Sequence, residues 1–95
     1  MRVKKNQIKF LKQFIRSIDP EASVFLFGSR VFKDQKGGDI DLLVLGARKL
    51  TGQEIRNIKI SFKKKFGEQK IDIVSYRWDE QSTFKDIAIQ DAVQI

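Results

Sequence analysis

Gly38-Asp39-Ile40-Asp41-Leu42-Leu43-Val44-Leu45 is an apolar run entered through two acidic residues. Side chains alternate faces along a strand, so positions i and i+2 project together. Read as a strand over residues 40–45, the run sends Ile40 and Leu42 into a core and points Asp39 and Asp41 away from it together. Two neighbouring carboxylates repel each other, and a desolvated pair costs free energy unless a cation neutralises it. A divalent metal is the simplest neutraliser.

Upstream lies Phe25-Leu26-Phe27-Gly28-Ser29-Arg30. Residues 23–27 are short, apolar and aromatic or β-branched, as a buried strand requires, and Gly28-Ser29 ends them. A strand that turns through Gly-Ser into a short helix exposes backbone N–H groups, which attract phosphate oxygens. Gly28 permits close backbone approach, Ser29 offers a hydroxyl and Arg30 supplies charge. Residues 30–38 read as one helical turn followed by a glycine-rich loop.

Downstream, Lys70-Ile71-Asp72-Ile73-Val74 sets an aspartate inside a β-branched run, where propensity does not favour it. If this strand lies beside the one carrying Asp41, three carboxylates converge, which is what a two-metal phosphoryl or nucleotidyl transfer site requires. Taken singly, each aspartate has an ordinary use: Asp39 as a turn cap, Asp41 on an exposed edge strand, Asp72 paired with a lysine. Asp-Ile-Asp following a strand-terminal Gly-Ser is the more specific signal.

The remaining elements follow from periodicity. Ile8, Leu11, Phe14, Ile15 and Ile18 mark an amphipathic helix over residues 5–18, stopped at Asp19-Pro20. Thr51 with Glu54 forms a capping-box pattern; Ile55, Ile58, Phe62 and Phe66 mark the buried face of the helix that follows, and Gly67 terminates it. Residues 70–76 form a third strand, and Ser82 or Thr83 caps a last helix through Phe84, Ile87, Ala88 and Ala92. The predicted order is α-β-(short α)-β-α-β-α: an α/β chain of α+β type, with a small mixed β-sheet covered by helices. Phe10, Phe14, Phe25, Phe27, Phe62 and Phe66 fit core faces, whereas Phe32, Tyr76 and Trp78 lie outside them, where one could touch a base or a partner. Lys59, Lys63, Lys64 and Lys65 lie on or near the polar face of the second long helix, either as a solvated surface or as a seat for RNA or an acidic partner.

Composition narrows the chemistry. The chain has 95 residues, enough for a single domain over residues 1–95, and is 41% hydrophobic and 33% charged, unlike a disordered chain. Cysteine and histidine are both absent, which removes disulfides, thiolate and histidine metal sites, and histidine as a general base. What remains is carboxylate and hydroxyl chemistry, suited to magnesium or manganese. A formal net charge of +7 suits a polyanionic ligand such as nucleotide or RNA, and equally a solvated basic surface. No apolar run approaches the ~20 residues of a membrane-spanning helix, so a cytoplasmic location without membrane contact is expected. A domain this small favours a homo-oligomer or a protein partner.

The combination Phe27-Gly28-Ser29-Arg30, Gly38-Asp39-Ile40-Asp41-Leu42-Leu43-Val44 and a later strand aspartate, Asp72, resembles the DNA polymerase β-type nucleotidyltransferase superfamily. More narrowly, it is similar to the minimal nucleotidyltransferases of bacteria and archaea, over nearly the whole chain. The resemblance implies a nucleotidyltransferase fold, with Asp39, Asp41 and Asp72 as catalytic and metal-binding residues for two Mg2+ ions, Mn2+ being the alternative. It implies triphosphate contacts from Gly28 and Ser29, with Arg30 beside them, ATP as the nucleotide and AMP as the transferred group. It also implies a HEPN-domain toxin as partner, neutralised either by nucleotide transfer or by binding alone. RNA or a small molecule is the other acceptor class. Two positions depart from the common pattern: Val31-Phe32-Lys33-Asp34 follows Arg30, and Gly38 stands where serine is frequent.

Overall fold

The computed structural model describes residues 4–27, 39–67 and 69–95, of Asp39 the backbone only. Gly28, Ser29, Arg30, Phe32 and the expected helical turn and glycine-rich loop therefore lie outside the described residues.

The first helix, α1 (Lys5–Ile18), starts where the Gln7 side chain accepts the Lys4 backbone N–H at 3.0 Å. It ends at Asp19, as Asp-Pro predicts. Asp19 is itself buried: its carboxylate accepts N–H groups of Glu21 and Ala47, each at 3.0 Å. That ties the end of α1 to the far end of the second strand. Strand β1 (Ser23–Phe27) follows, then β2 (Asp39–Gly46), α2 (Gly52–Phe66), β3 (Lys70–Arg77), α3 (Thr83–Gln90) and β4 (Val93–Gln94).

Among the described residues the sheet has the order β3-β2-β1-β4. β1 pairs antiparallel with β2 and β4, whereas β2 and β3 are parallel. Parallel neighbours need a crossover rather than a hairpin, and α2 supplies it. Its start is held by the reciprocal cap between Thr51 and Glu54, and by a two-pronged Arg48–Glu54 ion pair at 2.8 and 2.7 Å. The Arg48 fork, and then the Thr51 backbone N–H, hold the Glu54 carboxyl at about 2, well below the usual carboxylate range. At its C-terminus Gly67 adopts φ +86°, a left-handed backbone for which glycine is suited.

β2 is central and buried on both faces, so its residues 42–45 are continuously apolar rather than alternating. One face, carrying Ile40, Leu42 and Val44 with Val24, Leu26, Ile71 and Ile73, packs under Leu11 and Ile15 of α1 and Ile58 and Phe62 of α2. Burying each large side chain there contributes about 1.5–3 kcal/mol. Phe10, Phe14, Phe62 and Phe66 extend this layer, with ring centroids 4.7–6.0 Å apart in the contacting pairs. The other face gathers Leu43, Leu45, Phe25, Phe27, Val74 and Tyr76 around Ala88 and Ile89.

One expectation is corrected and one alternative reading is excluded. The last helix stops at Gln90 instead of reaching Ala92, and the chain returns as β4, whose Val93 and Gln94 pair with Leu26 and Phe25. Asp41 lies on a strand flanked by two others, not on an edge. The lysines of α2 are exposed as expected, Lys63, Lys64 and Lys65 occupying its last turn, where cations complement the helix dipole. Among the described residues, no helix is long and apolar enough to cross a membrane.

Candidate active site

The parallel register of β2 and β3 decides where the carboxylates lie. Asp41 and Asp72 are direct Cα partners, so the two strands carry them side by side on one face of the sheet. Strands in a sheet run about 4.8 Å apart, which brings the two carboxylates within reach of one small cation. Both residues are half-buried. The flanking residues Ile40, Ile71 and Ile73 are buried on the opposite face, and Leu42 with them, so local packing holds the aspartates to their orientation.

Asp39 occupies the first position of β2, two residues before Asp41 and opposite Lys70. On the other side of Asp41 lies Phe27, its Cα partner across the antiparallel pair and the last residue of β1. The segment leading into Gly28-Ser29-Arg30 thus ends directly beside Asp41.

The donor chemistry fits a hard divalent cation. Asp41 and Asp72 offer carboxylate oxygens on adjacent strands, with neither histidine nor cysteine anywhere in the chain to favour a softer metal. Among the described side chains no group of three or more such ligands forms, the side chain of Asp39 being outside them. Two of the three expected carboxylates are therefore seen together.

α3 borders the same face. Its Ala88 packs with Leu43 and Leu45. Phe84, near the helix start, meets Phe27 edge to face with ring centroids 6.0 Å apart. Phe84 remains 49% exposed, so the aromatic pair beside Asp41 has an open side. The sequence does not reveal this: apolar spacing places Phe84 on the last helix but says nothing of which strand residue it meets. Tyr76 lies on the same face, partly buried, with the Lys49 ammonium 5.6 Å from its ring centre. Trp78 is half-exposed just after β3. A groove of about 610 Å³ runs along α1, lined in part by Lys5, Lys9, Lys12 and Arg16; it belongs to the helix on the opposite sheet face from the carboxylates.

The family model described as Polymerase beta, Nucleotidyltransferase matches residues 6–95. Among solved structures, a mutant of the toxin–antitoxin MntA-HpeT is similar at 21% identity and TM-score 0.71, covering 99% of this chain and 72% of that one. A toxin–antitoxin crystal structure with AMP-PNP gives 21% identity and TM-score 0.66 over 97% of this chain and 72% of that one. A complex of tri-AMPylated Shewanella oneidensis HEPN toxin with MNT antitoxin gives 20% identity and TM-score 0.55 over 93% and 70%. At these identities the likeness speaks for the fold. No curated protein matches the chain.

Proposed function

The chain belongs to the polymerase beta nucleotidyltransferase family, and from that premise we propose that it transfers AMP from ATP to a hydroxyl of a HEPN-domain toxin, acting as its antitoxin. The observation that carries this reading is the Asp41–Asp72 pair on neighbouring parallel strands, with Asp39 at the head of the same strand and β1 ending beside them. The solved toxin–antitoxin structures, one with AMP-PNP and one with an AMPylated toxin, support the choice of nucleotide and acceptor.

Asp39, Asp41 and Asp72 would hold two Mg2+ ions, Mn2+ substituting. When bound, the ions would neutralise the triphosphate and lower the pKa of the acceptor hydroxyl. Asp41 and Asp72 fix the site from two strands whose opposite faces are buried, so their positions need no reorganisation during the reaction. Asp72 is the carboxylate assigned to the acceptor side, where it would help take the hydroxyl proton. Gly28 and Ser29 would contact the triphosphate, with Arg30 steadying the departing pyrophosphate. The oxygen attacks the α-phosphorus, the bond to the bridging oxygen breaks, and pyrophosphate leaves. Positioning and electrostatics account for most of the acceleration.

The test is transfer of label from α-labelled ATP, in Mg2+, to a HEPN-domain protein, with the product of the adjacent gene tried first as acceptor. Label should appear on that protein, and Asp72→Asn should lower the rate by about a hundredfold or more. Neutralisation of the toxin without any label transfer, unchanged by Asp39→Ala with Asp41→Ala, would contradict transfer and leave binding as the mode of action.

A further inference from the structure

The geometry points to the exposed ring of Phe84 as the platform on which the purine of the nucleotide stacks. This rests on the nucleotidyltransferase reading above and extends it from the phosphates to the base.

The ring of Phe84 is not taken up by the core. It is an aromatic side chain near the start of α3, yet it is 49% exposed while Ala88, one turn later, is buried against Leu43 and Leu45. Its described aromatic contact is the edge-to-face meeting with Phe27 at 6.0 Å and 84°. Edge-to-face packing uses only part of a ring's surface, so a half-exposed Phe84 keeps room for an offset-stacked partner.

Location selects that partner. Phe27 pairs with Asp41 across the sheet, so their Cβ atoms are about 5 Å apart on a common face. Phe84 therefore stands one aromatic ring removed from the carboxylate that would hold metal and phosphate. A nucleotide whose phosphates lie at Asp41 carries its base one ribose away, the span that the Phe27 ring occupies here. A flat apolar face at that separation matches a nucleobase, and a purine covers more of it than a pyrimidine. Base–aromatic stacking tolerates any base but depends on the ring.

The experiment compares ATP with inorganic tripolyphosphate, each titrated in Mg2+ by calorimetry into the whole chain and its Phe84→Ala and Phe84→Tyr variants. Because Phe84 is half-exposed, its truncation leaves the core cluster around Leu43 and Leu45 in place. Phe84→Ala should weaken ATP by about tenfold or more while leaving tripolyphosphate unchanged, and Phe84→Tyr should restore ATP binding. Equal binding of ATP by Phe84→Ala and wild type overturns the assignment. So does a parallel loss of ATP and tripolyphosphate, which would make the ring a support for the phosphate site or a seat for a protein partner. Failure of the wild-type chain to bind either probe would overturn the nucleotidyltransferase reading itself and this assignment with it.

Discussion

Asp72 and Asp19 are both aspartates among apolar neighbours, and the structure gives them opposite uses. Asp72 is half-buried beside Asp41, on the sheet face that α3 borders. Asp19 is buried and satisfied, its two oxygens taken by the backbone N–H groups of Glu21 and Ala47. A Cβ at Gly46 would overlap the Asp19 carboxylate, so the bare glycine and the buried acid are one device. Asp19→Ala removes the charged acceptor of two part-buried N–H groups and should cost about 1–3 kcal/mol in denaturant unfolding. Gly46→Ala should cost a similar ~1–3 kcal/mol through overpacking. The double variant should cost less than the two added, since removing the carboxylate also relieves the overlap. Strict additivity in unfolding measurements would mean that the two positions act independently.

Helix α2 depends on its ends. Thr51→Ala removes the acceptor for the Glu54 N–H and should cost about 1 kcal/mol. Glu54 also makes this start pH-sensitive. Its carboxyl titrates lower in the fold, at about 2, than in the unfolded chain, so the folded state favours the ionised form. That contribution is fully present above the ordinary carboxylate range and is lost as pH falls toward 2. It is modest, because the pair is solvent-screened. In an NMR titration the Glu54 carboxyl should shift only near pH 2 in wild type, and in its ordinary range in Arg48→Ala; an unshifted wild-type carboxyl would contradict the ion pair. This helix was legible in advance because Thr51, Glu54 and Gly67 are local signals, each acting within one turn. β2 was legible for the same reason: Asp39, Ile40, Asp41 and Leu42 alternate before the run turns wholly apolar. β4 was not, since two residues carry no period and Val93 owes its pairing to Leu26, far away in sequence. The strand register was likewise out of reach. Asp-x-Asp marks Asp41 as unusual, but the length and path of the β2-α2-β3 crossover bring Asp72 opposite it. The exposure of Phe84 depends on how α3 lies over β1, which apolar spacing does not specify.

The whole molecule separates its two sheet faces by chemistry. One is closed by α1 and α2, whose outer surfaces carry Lys5, Lys9, Lys12 and Arg16 on one helix and Lys63, Lys64 and Lys65 on the other. Among the described residues the second face is covered in part by α3, and the same face carries the half-buried Asp41 and Asp72. In a chain of net charge +7, that acidic pair is set against the prevailing sign. On the proposed function, the carboxylates would meet a nucleotide through its metal ions. All of this requires that side chains from β2 and β3 hold the same ions. The direct measurement is Mn2+ binding, followed by the loss of its free EPR signal, in wild type, Asp41→Asn and Asp72→Asn, each checked for native circular dichroism. Wild type should bind Mn2+, more tightly with ATP present, and each single variant should weaken that binding about tenfold or more. Undiminished Mn2+ binding by a folded Asp72→Asn, with and without ATP, would contradict a shared metal site.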